Sequence, residues 1–462
     1  MSHRLVNLHG HTLGASRVNW PGSPPPADPP TVSDPGFTTH TPSVDTVIIY
    51  VSNSDGDDAN DGLSEGAAKK TIAAGIALLT DGNPDWLLLK RGDTWTDEAF
   101  GIWVLSGRSL TERMVISSYG TSTVRPLLKT GILGGLSTTG GGGRPLSENF
   151  LVLKGIHFYA HTRDPDSVDF IDANGGKGIS ILMGVNGWLF ENNRFDFYKD
   201  NFNLHDTVES QEIKNVTIRY NVFTNNYSTD SHSQGLFVDD TDSNVLIEHN
   251  IFDHCGWNET VAGATATIFN HNIYLQQTNS PDITVRNNII MRASSHGIQH
   301  RAGGDLHDNL FVECPLAILI GEGASAPEFS VLNNVILDGN DITASLPRGH
   351  GMDFNATNNT LCQDNIMAHV SGGDPRGIRG INSGTISQVN NIIHDWGVFD
   401  TGASEDYVDP DRTIESYSTS VGGAGTRADF FDQVRAQSFF TWNEDYSEAN
   451  IRQYFIDGFV LV

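Results

Sequence analysis

Basic residues are scarce: 28 Lys and Arg stand against 56 Asp and Glu, a formal net charge of −28 at pH 7. With no basic run to displace counterions from phosphates, nucleic acid is excluded as the main partner. The same balance disfavours a broadly polyanionic ligand unless a local basic patch or a bound cation inverts the sign. Cysteine is nearly absent. Cys255, Cys314 and Cys362 are odd in number and far apart, with no pair at metal-ligand spacing, so they read as buried packing residues. No stretch of about 18 apolar residues occurs, which excludes a membrane-spanning helix. The start, MSHRLVNLHGHTLGASRV, lacks the charged segment and apolar run of a secretory signal, so cytoplasmic synthesis is expected. Charged residues at only 18%, hydrophobic residues at 38% and 48 glycines exclude a disordered chain and favour a loop-rich β protein.

What the chain does have is repetition. A phrase of alternating residues, an Asn, two apolar residues and a turn recurs as ENNRF, RYNVF, EHNIF, RNNII, HDNLF, LNNVI, QDNIM and VNNII. The shared residue is Asn193, Asn221, Asn250, Asn288, Asn309, Asn334, Asn365 and Asn391, at irregular spacings between 21 and 38 residues. Such spacing is wrong for a helical repeat and natural for coils whose strands are fixed and whose loops vary. A second phrase follows in each coil, as in KGISIL, DNFNLH, QGLFVD, HNIYLQ, HGIQHR, HGMDFN and RGIRGI: a small residue, then period-two alternation, the signature of a strand. Stacking the coils in parallel places the eight Asn residues above one another, where each side-chain amide can bond to the next.

These phrases resemble the right-handed parallel β-helix of pectate-lyase-like proteins and phage tailspikes over about half of the chain. The resemblance implies an all-β solenoid with an N-terminal helix cap and a short helical C-terminal cap. The expected organisation is a Pro-rich arm over 1–43, an N-terminal cap and first coils over 44–148, regular coils over 149–400 and the C-terminal cap over 401–462. In the first cap a helix is expected from about Ala67 to Leu79. Its acidic loop, with Asp55, Asp57, Asp58 and Asp61, lacks the closing glutamate of a standard calcium loop and reads as a solvated turn. Two helical stretches are expected near the end, one burying Phe430, Phe431 and Val434 and one burying Ile451, Tyr454 and Phe455.

Aligning the second phrase on its small residue turns the sequence into a surface map, because outward positions of stacked strands form ladders about 4.8 Å apart. One ladder holds Lys177, Asp200, Gln234, His271, His296, His350 and Arg376. The next holds Ser180, Asn203, Phe237, Tyr274, Gln299, Asp353 and Arg379, and a third holds His205, Asp239, Gln276, Arg301 and Asn355. Leu319 divides the polar field, leaving Arg376 and Arg379 in a separate basic cluster. Before it, three imidazoles, a tyrosine, an arginine and two carboxylates converge, more titratable chemistry than solubility requires.

The candidate catalytic residues are His271, Tyr274, His296, Arg301, Asp239 and Asp240. The candidate substrate contacts are Asn203, His205, His232, Phe237, Gln276, Gln299, Arg376 and Arg379. For β-elimination of a uronic acid, His271 or His296 would be the base, Tyr274 the acid and Arg301 the neutraliser of developing charge. For hydrolysis, a carboxylate pair is needed. Asp206 and Asp240 align one rung apart, where they would either meet the shorter spacing of about 5 Å or, if they hold a metal, share calcium.

A straight face of repeated donors and acceptors suits a repeating polymer. The expected function is therefore recognition, with or without cleavage, of a host cell-surface or capsular polysaccharide. The favoured setting is a phage-like or gene-transfer-particle spike, docked to its particle through the N-terminal arm. The alternatives are a bacterial polysaccharide lyase, secreted or periplasmic once supplied with a leader, and a structural β-helix without a ligand. The sugar, the bond and any homo-oligomeric state stay open.

Overall fold

The computed structural model describes residues 36–138, 147–171, 173, 175–207, 212–323, 327–340, 349–370, 376–396 and 407–461. The expected arm up to residue 35 and the tip of the Gly-rich connection, 139–146, lie outside them. Among the described residues the chain winds through three long parallel sheets of 14, 11 and 10 strands, one strand per sheet in each regular coil. Neighbouring strands in these sheets lie one coil apart, so the molecule is a parallel β-helix with helical caps. We number the sheets one, two and three in the order in which a coil visits them.

The asparagine phrase forms the turn between sheets one and two. Each ladder Asn from Asn221 to Asn391 accepts, through its side-chain oxygen, both the backbone and side-chain N–H of the Asn one coil before, at 2.9–3.1 Å. Each side-chain amide also reaches a carbonyl of the preceding coil, such as Phe190 O from Asn221 and Ile247 O from Asn288. The residue before each ladder Asn turns left-handed, with φ between 50° and 60° at Asn192, Tyr220, His249, Asn287, Asp308, Asn333, Asp364 and Asn390. All eight asparagines are therefore structural, and from Asn193 to Asn365 the ladder satisfies a turn that water cannot reach.

Inside, period-two alternation stacks like on like. Phe158, Phe195, Phe223 and Phe252 occupy equivalent positions of sheet two, with ring centroids 4.7–5.2 Å apart and near-parallel planes. The small residue of the second phrase exists because that stack leaves no room. A Cβ on Gly297 would sit 2.8 Å from the Phe311 ring and 2.7 Å from Ala317 O. The three cysteines are buried in the same interior and free, and burial pushes the Cys314 and Cys362 thiols up to about 12.

At the first coil the helix is shorter than expected. A 3-10 turn, Glu65–Ala67, precedes helix α1, Ile72–Ile76. Lys69 interrupts the helix by pairing its backbone with Tyr50 and Ser52 beside the first strand, Ile48–Val51. Asp58 then accepts from the Lys70 and Thr71 N–H groups, Asp57 and Asp61 each cap a turn, and Asp55 pairs with Lys90, so the acidic loop works as turn chemistry.

The C-terminal segment holds three α-helices where the periodicity predicts two: α2, Ile414–Ser420, α3, Arg427–Arg435, and α4, Glu448–Gly458. The unanticipated α2 opens on a capping box between Thr413 and Ser416. The helical cap covers the outer face of sheet two. There Val222, Ile251, Ile289, Leu310, Val335 and Ile366 form a second core with Ile414, Tyr417, Phe430, Val434, Ile451 and Phe455. The segment runs back far enough for Phe439 and Trp442 to meet Phe37, with centroids 5.1 and 5.7 Å away. Phe37 is wholly buried, and Thr38 donates to Glu191, so residues 36–38 belong to the body rather than to an arm ending at 43.

Candidate functional site

Sheet three carries the expected surface map in the expected register. Its strands Leu136–Ser137, Ile179–Ile181, Phe202–His205, Gln234–Asp239, His271–Leu275, His296–His300, Leu316–Gly321, His350–Asn355 and Ile378–Ile381 stack in parallel. The central outward ladder runs Ser137, Ser180, Asn203, Phe237, Tyr274, Gln299, Leu319, Asp353, Arg379. Size grows along it, from serines at one end to aromatics in the middle. Over the serines lies an open groove of about 760 Å³, walled by Lys177, Lys199, Asp200, Ser231 and His232. It continues into a hollow of about 390 Å³ that shares Gly134 and Ser137 and ends at Asp97, Glu98 and Ile102.

His232 stands at the groove's edge. Its ring stacks on the exposed Phe269 ring at 5.3 Å and 9°, giving a flat platform beside the ladder. Phe269 carries no signal in the repeat because it sits in the loop before the strand, and only the fold brings it to His232.

Farther along, the aromatic rungs meet the titratable group. Phe237 packs against Tyr274 at 5.5 Å and His205 at 5.9 Å between centroids. His205 Nε2 lies 3.6 Å from Asp239 and 3.4 Å from Asp240. Asp239 accepts from the Thr278 hydroxyl and from the Asp240 N–H. Burial, with the Asp240 charge beside it, raises the Asp239 carboxyl above its ordinary value. Tyr274 donates to Gln276 Oε1 at 3.3 Å, and Arg301 lies over its ring at 5.2 Å. Burial raises the Tyr274 phenol, a shift that the Arg301 charge opposes, so the group is a proton donor at neutral pH.

Glu322, absent from the expected set, ties the far side together. It accepts from Gln299 at 2.9 Å and pairs with Arg301 at 3.2 Å. Its signal was available: Glu322 directly follows the strand end Gly321, whose register partner is Asn355 of the third ladder. Its left-handed φ of 65° turns it onto the face.

Several expected assignments change on burial and pairing. His271 and His296 are only 3% and 5% exposed, and their Nδ1 atoms share one hydrogen bond of 2.8 Å, one ring donating and the other accepting. That contact holds both rings below the surface, so neither is placed as the base of an elimination. Their place is under Tyr274, whose ring meets His271 edge-on at 5.2 Å. Arg379 is locked to Asp353, which also takes His350, and with Arg376 it lies beyond Leu319, apart from the groove. Asn203 and Gln299 are mostly buried rungs, whereas Phe237 and Gln276 are half-buried and open to a ligand.

For a metal, Asp206 is buried and is not a member of the group that converges. His205, Asp239 and Asp240 each bring one donor atom within 4.8 Å of the others. One nitrogen and two carboxylate oxygens suit a borderline divalent ion such as zinc better than calcium, which takes oxygen ligands.

Residues 171–336 match the family model for the right handed beta helix region. No curated protein sequence matches the chain. Among solved structures, the GH136 lacto-N-biosidase from Eubacterium ramulus is 14% identical, with a TM-score of 0.45 over 75% of this chain and 67% of that one. Pectate lyase Pel9A is 14% identical, with a TM-score of 0.44 over 79% and 83% of the two chains. PfbA, a surface adhesin of Streptococcus pneumoniae, is 14% identical, with a TM-score of 0.45 over 75% and 90%.

Proposed function

We propose that this right-handed parallel β-helix protein grips a polysaccharide chain along the outer face of sheet three. The observation that carries the reading is the continuous ladder from Ser137 through Asn203, Phe237 and Tyr274 to Gln299, flanked by the groove and by the His232–Phe269 platform. Repeated rungs match a repeating polymer, small residues leave room for a ring, and aromatic faces stack on the apolar faces of sugars. The setting we favour is a spike of a phage-like or gene-transfer particle, docked through the segment before Phe37. The fixed seat of Phe37 against Tyr220, Phe439 and Trp442 supports an anchored exit for that segment.

Cleavage, where it occurs, falls to the carboxylates. Asp239, the more buried of the two, with its carboxyl raised by burial and the neighbouring Asp240 charge, is assigned the acid; Asp240, the more exposed partner, is the second group. Their separation within 4.8 Å lies at the short end of the spacing, about 5 Å, that hydrolases use with a nucleophilic carboxylate.

The test is a binding measurement over a panel of soluble capsular and plant polysaccharides, with reducing-end and unsaturated-uronate assays on the same mixtures. At least one polymer should bind, and Phe237→Ala should weaken it roughly tenfold, the worth of one good aromatic contact. Binding to no polymer, or equal binding by the variant, would overturn the reading.

A further inference from the structure

We infer that the glycan taken by this face is uncharged, a polymer of neutral sugars; the inference rests on the glycan-binding reading above and deepens it. The argument is a census of charge along the groove and ladder before Leu319. Among the described residues three side chains there are fixed cations, and each already has its carboxylate: Lys177 with Asp200 at 3.1 Å, Lys199 with Asp230 at 3.1 Å, and Arg301 with Glu322 at 3.2 Å. Among the described residues no fixed cation is left over to meet Asp239 and Asp240, whose one ionisable cationic neighbour there is the His205 ring. The hollow that prolongs the groove is lined, among the described residues, by Asp97 and Glu98 and by no cation.

An acidic polymer would bring one carboxylate per unit onto this surface. It would have to displace paired carboxylates from their lysines, at the cost of leaving them near its own charges. The whole-chain charge of −28 adds long-range repulsion on approach. What the face offers instead is neutral hydrogen bonding: Ser180 and Gln276 are partly exposed and open to a ligand. Those groups, with the flat His232–Phe269 platform, are complementary to hydroxyl-covered sugar rings. Elimination next to a carboxylate needs an acidic sugar, so a neutral ligand leaves hydrolysis as the only cleavage chemistry compatible with the face.

The experiment uses the full chain against polygalacturonate and alginate on one side and dextran, galactomannan and xyloglucan on the other. Affinity is measured between about 50 and about 500 mM salt, a range that shrinks the screening length severalfold. A neutral polymer should bind best, with affinity changing less than about twofold across the salt range, and the two acidic polymers should bind at least roughly tenfold more weakly. Tightest binding to an acidic polymer, weakening with salt and lost in Lys177→Met plus Lys199→Met, would overturn the inference while leaving glycan binding intact. Binding to neither class would overturn the glycan reading itself, and the inference with it.

Discussion

Sheets two and three are wound from the same coils, yet their outer faces meet opposite fates. On sheet two the outward rungs turn from Arg194 and Asp196 to Val222, Ile251, Ile289, Leu310, Val335 and Ile366, and the chain lays its own helices over them. On sheet three the outward rungs stay polar or aromatic as far as Gln299, and the described residues lay no helix across them. Two sequence details separate the faces. The asparagine phrase places apolar residues on both sides of its strand, which requires a cover; the second phrase alternates, which does not. The cover is also pinned by charge at chosen points: Arg435 and Arg292 on Asp253, Arg427 on Glu313 and Asp338, and Arg452 on Asp308. One face is finished by the chain, and the other is left for a partner.

The contrast breaks most severely on the covered side. Phe430 is fully buried between helices and sheet, so Phe430→Ala should cost about 3–5 kcal/mol in chemical unfolding, with little change in glycan affinity of the folded fraction. Asn288→Ala acts on both faces at once, since it removes the acceptor for the Asn250 N–H and the donor to Ile247 O. Its expected cost is about 3 kcal/mol, read as a drop in the unfolding midpoint.

Acid should loosen the cover before the ladder. Burial alone would raise the Asp253 carboxyl, but the guanidiniums of Arg435 and Arg292 outweigh it and hold it below its ordinary value. A depressed carboxyl contributes stability that is present above its unfolded value, near 3.9, and is lost as pH falls through the lower folded value. Asp253→Asn should therefore cost roughly 1.5–3 kcal/mol at neutral pH, and the gap to the parent should close in acid. A constant gap down to the lowest folded pH would remove this ion pair from the account of the cover.

The open side should respond in function and barely in stability. Tyr274→Phe removes a hydroxyl that among the described residues meets only Gln276, so the melting temperature should stay within a degree or two, a change under about 0.5 kcal/mol, while glycan affinity falls by ~1 kcal/mol. A further effect on the open side concerns metal. A divalent ion held by His205, Asp239 and Asp240 at ten times its Kd would stabilise the fold by about 1.4 kcal/mol. Thermal shifts with zinc and with calcium, each compared with Asp240→Asn and with chelator, check it; identical melting in all of them leaves the three residues to proton chemistry alone.

The coil repeat, the eight-rung asparagine ladder and the outward register from Ser180 to Arg379 were legible in the sequence, because strand period and inter-coil stacking are local rules that every coil obeys alike. The segregation of Arg376 and Arg379 beyond Leu319 was legible for the same reason. The tertiary structure decided what the repeat leaves unstated. It buried His271 and His296 against each other, since an outward position near a sheet edge is covered or bare according to the loop above it. It replaced Asp206 by His205 in the converging group, because the direction in which a side chain leaves the end of a strand depends on the turn, here the left-handed Asp240. It brought Glu322 to Arg301, Phe269 to His232 and the loop after the helix Arg427–Arg435 back to Phe37. Alternation along a strand says which face a residue takes, and only the packed chain says what stands in front of that face.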